Sequence, residues 1–483
     1  MNSSAPPELP AERARTIGEL RATGYRSRTV KEELRTNLLA RLAADEELMP
    51  GIIGFSETVL PAIENAILAG QDLVFLGERG QAKTRMARLL VGLLDDVIPI
   101  VAGGELNDDP LAPISPTARA IVAEQAGEAP IAWLPRDRRY GEKLATPDIT
   151  IADLIGEVDP VRVAEGRYLS DELTIHFGLI PHCNRGIFAI NELPDLAERI
   201  QVGLLNILEE RDVQIRGFTV RLPLDVFVVA SANPEDYTSR GRIITPLKDR
   251  LGSQIRTHYP RTLEHEISIM EQEQLRFADE DGVPQVVVPG FMSELLAELT
   301  HLARRAPEIS QRSGVSVRVS VSNLEVVRAA ALKRAVRLHE RGAAPRVSDL
   351  GAVIASTAGK IELESAGDEA PEERIVERLI TKALFTTFNR RLSIDALEEV
   401  VLAFDGGLVV ETGDTVASKR YVRWMREIPG LGEAVRRLTA GDSPEGAESP
   451  AVVASAVEFV LEGLHLQRRI NKDRAAHGTV YRR

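Results

Sequence analysis

The sequence contains very little cysteine and no long apolar run. Cys183 is the single cysteine, which excludes an internal disulfide framework or a metal site built from several thiolates and indicates a reducing compartment. No uninterrupted stretch of about 18 apolar residues occurs, so we expect no membrane span. The first residues lack the apolar core of a secretory signal, and we therefore expect a cytoplasmic protein.

Positive charge and aromatic side chains are also scarce. The 483 residues include 59 Lys and Arg against 72 Asp and Glu, a formal net charge of −13. A field of that sign repels a phosphate backbone and argues against nucleic acid as a partner. Aromatic residues make up 4% of the chain, so aliphatic side chains are expected to build its cores. The hydrophobic share of 44% is ordinary for globular proteins.

Local composition predicts four regions along the chain. Residues 1–46 are expected to form a flexible tail followed by N-terminal helices. In residues 47–262, short apolar runs alternate with helical stretches, which is typical of an α/β domain with a largely parallel sheet and insertions. Residues 263–400 are expected to form a helical lid domain. Residues 401–483 are expected to form a C-terminal helical extension: a turn-rich connector, one long amphipathic helix and a basic tail.

Apolar runs identify the candidate strands of the α/β domain. Their nearly continuous hydrophobicity is typical of strands covered on both faces. The proline-rich segment between the second and third runs is expected to hold loops and inserted elements, and VQIRGFTVRL is expected to form a β-hairpin. The five runs are DLVFLG (72–77), VIPIVAG (97–103), GIFAIN (186–191), DVFVVASAN (225–233) and QIRTHYP (254–260).

The strongest motif is GERGQAKT, from Gly77 to Thr84. Its spacing is that of the phosphate-binding loop G-x-x-x-x-G-K-[ST], except that Ala82 replaces the last glycine. Small residues let backbone N–H groups face a phosphate, Lys83 can reach the β- and γ-phosphates, and Thr84 can offer its hydroxyl to Mg²⁺. The alternative is an ordinary turn with a surface lysine, but a strand before and a helix after favour nucleotide binding. We expect Ala82 to keep a negative φ, because its Cβ disfavours positive values.

A second polar element follows the third apolar run. Asn191 and Glu192 end a buried strand, where an ATPase keeps a ligand for metal-bound water and a carboxylate that activates the attacking water. The Asn191 amide oxygen can accept a hydrogen bond from a Mg²⁺-bound water but carries no charge. Taken alone, the pair fits a plain polar strand end. With the loop upstream, Glu192 becomes a candidate catalytic base.

Three further residues are candidates for sensing or completing the site. Asn233 ends another apolar run, where its amide could hold the attacking water or could simply begin an Asn-Pro turn. Arg250, in PLKDRLG, could act across a subunit boundary or form surface salt bridges. Arg318, in GVSVRVS, precedes a helical stretch of the second domain. The sequence alone leaves these alternatives open.

These elements, in this order, resemble an AAA+ ATPase of the magnesium-chelatase/MoxR group over about residues 47–330. Ile53 and Gly54 in PGIIGF resemble the adenine-side segment, and DLIGEVDP (153–160) is similar to a chelatase segment that opens an insertion. The resemblance implies that Asn191 contacts Mg²⁺ through water, whereas the family usually has Asp there. Glu192 and Asn233 would then support hydrolysis, Arg250 would be the trans-acting finger and Arg318 the second sensor. The loop residues implied to bind ATP are Gly77, Glu78, Arg79, Gly80, Gln81, Ala82, Lys83 and Thr84, with Thr84 also on Mg²⁺.

The resemblance also implies an architecture and partners. The fold would be a P-loop AAA+ parallel five-stranded sheet with flanking helices, followed by an all-α lid domain and a helical C-terminal region. The protein would form a homo-oligomeric ring, typically hexameric, and act with a partner bearing a von Willebrand A domain.

Three functional hypotheses follow from these predictions. The first is an ATP-hydrolysing motor that remodels or activates a partner protein. The second is a nucleotide-gated scaffold with weak hydrolysis, motivated by Asn191. The third is the motor subunit of a true tetrapyrrole metal chelatase. A metal site at His176, His182 and Cys183 fits no standard zinc spacing, and an ordinary loop is the better interpretation.

Overall fold

A computed structural model describes most of the chain and divides it into two compact units. The first unit comprises Met1–Glu78 and Ala82–His258, and the second comprises Arg79–Gln81 and Tyr259–Arg483. No helix in the described part of the chain is long and apolar enough to cross a membrane. The N-terminal residues predicted to form a flexible tail lie outside the described ranges. Those ranges are 13–158, 175–210, 213–215, 218–220, 222–233, 243–275, 282–310, 313–364, 371–442, 449–475 and 478–483.

The first unit is built on a parallel sheet, which is five-stranded among the described residues. From one edge to the other its strands are Ser253–Arg256, Leu73–Leu76, Val226–Ala232, Gly186–Asn191 and Tyr140–Leu144, and every neighbouring pair is parallel. The predicted α/β fold with a parallel five-stranded sheet is therefore confirmed. The strands, numbered along the chain, are β1 (Leu73–Leu76), β2 (Tyr140–Leu144), β3 (Gly186–Asn191), β4 (Val226–Ala232) and β5 (Ser253–Arg256).

The second predicted strand was assigned to the wrong sheet. Val97–Val101 pairs antiparallel with Ile131–Pro135 in a separate two-stranded ribbon. Pro99 lies in the middle of this run and has no N–H to donate, which suits a ribbon better than a central strand. The fifth strand of the sheet is instead β2, YGEKL, from the segment expected to hold loops. As an edge strand it tolerates the polar Glu142 and Lys143 that concealed it.

Alternating side chains of the strands build a core on each face of the sheet. Phe75 and Ile187 belong to the core under the helices Val30–Ala43 and Val59–Leu68. Phe188 belongs to the core on the opposite face. Because both faces are covered, these strands carry apolar residues at successive positions, as the sequence indicated.

The N-terminal segment is part of the first unit. Thr29 caps the helix Val30–Ala43 in a capping box with Glu32, and Leu34 and Leu38 of this helix are buried in the sheet's core. The predicted hairpin is confirmed, since Val213–Ile215 pairs antiparallel with Phe218–Val220. A further antiparallel pair joins Gly156–Val158 to Ile175–Phe177. The α-helices described in this unit are Ile17–Ala22, Val30–Ala43, Val59–Leu68, Lys83–Leu89, Pro116–Gln125, Ile151–Leu154, Leu179–His182, Glu198–Glu210 and Thr245–Arg250.

The second unit is mainly helical, as predicted, and has one principal hydrophobic core. That core joins residues of the predicted lid, such as Met270 and Phe388, to residues near the end of the sequence, such as Phe459 and Tyr481. A two-residue parallel pair, Gln285–Val286 with Gly342–Ala343, accompanies the helices. The α-helices described here are Leu263–Glu273, Gly290–Ala303, Val317–Arg337, Val353–Ala358, Glu372–Arg391, Glu398–Asp405, Ser418–Glu427, Leu431–Leu438 and Pro450–Leu466.

The long C-terminal helix is not amphipathic, in contrast to the prediction. Every residue from Ala451 to Leu464 of the helix Pro450–Leu466 is buried, including two glutamates. Glu458 accepts a hydrogen bond from the Tyr421 hydroxyl at 2.5 Å, and Glu462 accepts from Lys472 Nζ at 2.7 Å. These partners allow the carboxylates to lie inside the core.

The basic end of the sequence is also more ordered than predicted. Asn471–Ala475 and Gly478–Arg482 form an antiparallel pair, and Val410–Thr412 pairs with the latter strand. The Tyr481 side chain is buried and its hydroxyl donates a hydrogen bond to Glu462. Part of the expected turn-rich connector and much of the basic tail therefore form one small sheet. Charged residues concealed them, since Asn471–Arg474 is exposed.

Candidate functional site

The loop Gly77–Thr84 connects β1 to the helix Lys83–Leu89, as the motif predicted. Lys83 is 7% exposed. Its ammonium group donates hydrogen bonds to the carbonyl oxygens of Gly77 and Glu78 and to Oδ1 of Asn233, the last at 2.6 Å. The ammonium group is therefore buried at the start of the helix Lys83–Leu89 and lies against the carbonyl groups of its own loop.

Ala82 departs from the expected backbone conformation. Its φ is +57°, in the left-handed region, whereas we expected a negative value. The residue immediately precedes the helix, where the motif usually has glycine. A left-handed alanine costs about 1–2 kcal/mol, because its Cβ approaches the neighbouring carbonyl oxygen. The loop therefore keeps the glycine-like conformation of the motif at some energetic cost.

The structure brings Asn191 next to the loop. Asn191 ends β3, and its Oδ1 accepts hydrogen bonds from the Thr84 hydroxyl at 3.2 Å and from the Ser231 hydroxyl, on β4, at 3.1 Å. Parallel strands place their carboxyl ends at one edge of the sheet, which is why these polar side chains meet there. Ser231 was not identified from the sequence, because it lies within an apolar run.

Glu192 and Asn233 form the second pair at this edge. Asn233 is 8% exposed, and its Nδ2 donates to Glu192 Oε2 at 2.7 Å. The same amide accepts from Lys83 through Oδ1, so one asparagine links the loop lysine to the candidate base. Glu192 has a φ of +57°, a strained value that glutamate rarely adopts. Strain of this kind is common at functional sites.

Glu142 was missed by the sequence analysis. It lies on β2, and its Oε1 accepts from Asn191 Nδ2 at 2.8 Å. Arg88 Nε donates to Glu142 Oε2 at 2.7 Å, and the Tyr140 hydroxyl donates to the same oxygen at 3.1 Å. Burial alone would raise the pKa of Glu142, but the hydrogen bonds from Arg88, Tyr140 and Asn191 lower it overall. Burial and the charge of Glu142 raise the pKa of Tyr140.

Ile53 and Gly54 lie in a turn before the helix Val59–Leu68, and Gly54 has a φ of +81°. The neighbouring Phe55 packs edge-on against His258, with ring centroids 5.0 Å apart. No contact described here tests whether this turn faces an adenine, and that assignment stays a prediction.

Arg79–Gln81, in the middle of the loop, belong to the second compact unit. The Tyr259 hydroxyl donates to the Arg79 carbonyl at 3.0 Å. Gly80 has a φ of +77°, and a Cβ there would collide with Ser316. Glycine is therefore required at this position both by conformation and by space. Gln81 is buried.

The two predicted arginines lie on helix ends. Arg250 is the last residue of the helix Thr245–Arg250 and is exposed. Arg318 is exposed in the first turn of the helix Val317–Arg337 in the second unit, and its backbone N–H donates to the capping Ser316 hydroxyl. The roles assigned to both residues stay predictions.

The donor chemistry at the sheet edge fits Mg²⁺. The Thr84 hydroxyl is a hard oxygen donor that could bind Mg²⁺ directly, and the Asn191 amide oxygen could accept a hydrogen bond from a Mg²⁺-bound water. In nucleotide sites Mg²⁺ binds through few protein groups and takes its other ligands from phosphates and water. The arrangement therefore brings the Lys83 ammonium group, these oxygen donors and the Glu192 carboxylate together at one edge of the sheet.

Comparison with known proteins identifies two related groups. Residues 164–253 match the family model described as the Sigma-54 interaction domain. The chain is 28% identical to the chloroplastic magnesium-chelatase subunit ChlI of Oryza sativa subsp. indica, over 53% of this chain and 62% of that protein. The japonica protein gives the same values. A shorter match, 26% identical over 24% of the chain and 19% of the relative, is to the acetoin dehydrogenase operon transcriptional activator AcoR of Bacillus subtilis.

One solved structure illustrates the structural likeness. NtrX from Brucella abortus in complex with ADP is 17% identical, covers 82% of this chain and 73% of its own, and has a TM-score of 0.42. The chain spans about three fifths of the length of the rice relatives. The sequence matches confirm the predicted resemblance to AAA+ ATPases of the magnesium-chelatase group. The match to Sigma-54 activators was not anticipated.

Proposed function

Starting from this relationship to AAA+ ATPases of the magnesium-chelatase group, we propose that the protein binds ATP with Mg²⁺ at the loop Gly77–Thr84 and hydrolyses it. The observation that carries the proposal is the chain of contacts from Lys83 through Asn233 to Glu192. At one end of this chain of contacts, the buried Lys83 ammonium group suits a phosphate. At the other end, the Glu192 carboxylate can accept a proton.

Each residue has a distinct chemical task in this proposal. Lys83 stabilises negative charge on the β- and γ-phosphates, and the Thr84 hydroxyl together with Asn191 holds the metal side. Mg²⁺, when bound, neutralises phosphate charge and favours loss of the leaving group. Glu192 orients a water and accepts its proton, while the Asn233 amide holds the Glu192 carboxylate in place.

Mg²⁺-dependent phosphate release tests the proposal. Glu192→Gln keeps the size of the side chain and removes the base, so turnover should fall at least about hundredfold while ATP binding remains. Lys83→Ala should weaken ATP binding itself. Glu124→Gln, an exposed glutamate on the helix Pro116–Gln125, is the matched control and should behave as wild type. Equal turnover of wild type and Glu192→Gln would discard the catalytic role. Slow wild-type turnover with tight ATP binding would favour the scaffold hypothesis.

We propose further that the protein works as a homo-oligomeric ring in which Arg250 acts on the neighbouring subunit's site. The support is its exposed position at a helix end, together with the resemblance. Arg250→Ala and Glu192→Gln should each be inactive alone. A mixed assembly would contain interfaces with one intact Glu192 and one intact Arg250, about a quarter of all interfaces at equal mixing. Recovery of activity on mixing supports a shared site, and no recovery contradicts it.

The proposed task is remodelling or activation of a partner protein, as in the magnesium-chelatase/MoxR group, with a von Willebrand A domain as the expected partner feature. The resemblance alone supports this step. A candidate partner should raise the ATPase rate of wild type and should co-elute with Glu192→Gln in ATP. If candidates with a von Willebrand A domain neither raise the ATPase rate nor co-elute, this class of partner is excluded.

A tetrapyrrole metal chelatase is the second candidate, favoured by the similarity to the rice ChlI proteins. It predicts ATP-dependent insertion of Mg²⁺ into a porphyrin when partner subunits are added. Absence of insertion by a preparation that hydrolyses ATP would exclude this candidate and keep the first.

A further inference from the structure

Glu142, on the edge strand β2, lies beside Asn191, which carries an amide instead of a carboxylate. By the resemblance stated above, Asn191 stands where the family usually has Asp, and Glu142 Oε1 lies 2.8 Å from Asn191 Nδ2. We propose that Glu142 is a positioning residue that supplies, through Asn191, the negative charge missing from the metal side of the site. This inference rests on the proposed binding of ATP with Mg²⁺.

The hydrogen bonds fix which way the Asn191 amide points. An ionised carboxylate can only accept hydrogen bonds, so the amide NH₂ must face Glu142. The amide oxygen then faces the opposite way, where it accepts from the Thr84 and Ser231 hydroxyls. Because the Thr84 proton is donated to Asn191, the lone pairs of the Thr84 oxygen remain for a cation. Glu142 thus makes a neutral amide present only its acceptor to the metal.

The register of the sheet places Glu142 short of the strand end at which Asn191 lies. Leu144 of β2 is opposite Asn191 of β3, so Glu142 lies two residues before the strand end. Its side chain is 21% exposed, which limits screening by water. Carboxylates that orient a metal ligand from behind commonly change metal affinity by about ten- to hundredfold when they are replaced.

Arg88 offers a competing explanation for Glu142. Its guanidinium group binds Glu142 through Nε at 2.7 Å and Nη2 at 3.1 Å, and the pair could simply fasten the helix Lys83–Leu89 to the sheet edge. The Arg88 side chain is 64% exposed, however, so solvent screens its charge more than that of Glu142. The two explanations predict opposite effects of removing Arg88, and this difference makes them separable.

The test moves the charge from one residue to the other. The binding of a fluorescent ATP analogue is measured with and without MgCl₂ for wild type, Glu142→Gln, Asn191→Asp and the double variant. Glu142→Gln should leave metal-free binding unchanged and weaken apparent Mg²⁺ affinity about tenfold or more. Asn191→Asp with Glu142→Gln restores one carboxylate on the same pair and should recover wild-type Mg²⁺ affinity to within about threefold.

Control variants separate the two explanations and detect misfolding. Arg88→Gln should leave Mg²⁺ affinity equal to or higher than wild type, because it removes an opposing charge. If Arg88→Gln instead lost as much Mg²⁺ affinity as Glu142→Gln, the Arg88–Glu142 pair would only fasten the helix, and the inference would be overturned. Glu124→Gln should have no effect. Unchanged metal-free binding in Glu142→Gln shows that the loop has folded.

Failure of the inference and failure of the proposed function give different results. If wild type binds no ATP with or without Mg²⁺, the proposed function fails and the inference falls with it. If wild type binds ATP with Mg²⁺ but Glu142→Gln has normal Mg²⁺ affinity, only the role of Glu142 is overturned. A double variant as weak as Glu142→Gln has the same consequence, since it would show that the charge cannot be moved.

Discussion

Replacement of Glu33 by glutamine tests how the helix Val30–Ala43 is held within the first unit. The Glu33 and Arg139 side chains are 5% and 1% exposed and form a bidentate ion pair, with contacts of 2.7 and 2.6 Å. Glu33 also accepts from the Asp95 N–H at 2.6 Å. Glutamine has nearly the same shape but removes the charge, so the buried guanidinium loses its counter-ion.

The expected loss is large because both charges are away from water. Breaking a buried pair by removing one partner costs about 3–5 kcal/mol, and the remaining amide oxygen suggests the lower end, about 3 kcal/mol. For a unit of this size, about 2–4 °C of melting temperature is lost per kcal/mol. We therefore expect Glu33→Gln to lower the melting temperature of the first unit by roughly 6–12 °C.

The two tryptophans allow each unit to be followed separately. Trp133 lies in the first unit and Trp424 in the second, and the chain has no other. In a Trp424→Phe background, Trp133 fluorescence reports the unfolding of the first unit. Glu47→Gln, an exposed glutamate beyond the helix, is the matched control and should leave the transition where it is.

A double-mutant cycle decides whether the ion pair is the cause. Glu33→Gln and Arg139→Gln should each destabilise the unit, and the double variant should lose much less than the sum of the two. A loss below about 1 kcal/mol for Glu33→Gln, or strict additivity in the cycle, would refute the reasoning that the charges depend on each other.

Two further predictions concern the loop and acid stability. Ala82→Gly should stabilise the first unit by about 1 kcal/mol, since it removes a Cβ from a residue with a left-handed φ of +57°. Denaturant unfolding followed by Trp133 fluorescence measures this gain. A loss of stability would contradict the assigned strain. Burial alone would raise the pKa of Glu266, but His301, Arg304 and Ser320 lower it overall. Glu266 therefore stabilises the second unit above its ordinary pKa of 4.5, and this contribution is lost as pH falls below that value. Trp424 fluorescence should show Glu266→Gln less stable than wild type near neutral pH, with the difference shrinking on acidification; a constant difference would contradict the shift.

The loop and the strand ends could be predicted because their chemistry is local. GERGQAKT specifies a turn between a strand and a helix, and the polar residues Asn191 and Asn233 stand out at the ends of apolar runs. Since parallel strands share one edge, their meeting near Lys83 followed from the order of elements. The backbone of Ala82 did not follow, because the loop as a whole fixes a conformation that alanine alone disfavours.

Residues at the margins of the sheets could not be assigned from hydrophobicity. Glu142 and Lys143 lie on an edge strand, where one side faces water and apolar residues are not required. VIPIVAG had the apolar composition of a central strand, but Pro99 argues against that position and its pairing with Ile131–Pro135 places it in a separate ribbon. The strands near Tyr481 were concealed in the same way by lysine and arginine. Whether such a segment forms a strand, and in which sheet, depends on the segment with which it pairs.

The buried position of the helix Pro450–Leu466 has a consequence for synthesis. The ribosome makes this helix after all the other α-helices described in the second unit, yet its buried residues belong to that unit's principal core. Until the helix Pro450–Leu466 is made, the earlier helices of the second unit therefore expose apolar surfaces. By then every strand of the parallel sheet in the first unit has already been made. Chaperones would be expected to bind preferentially to chains halted between residues 259 and 450.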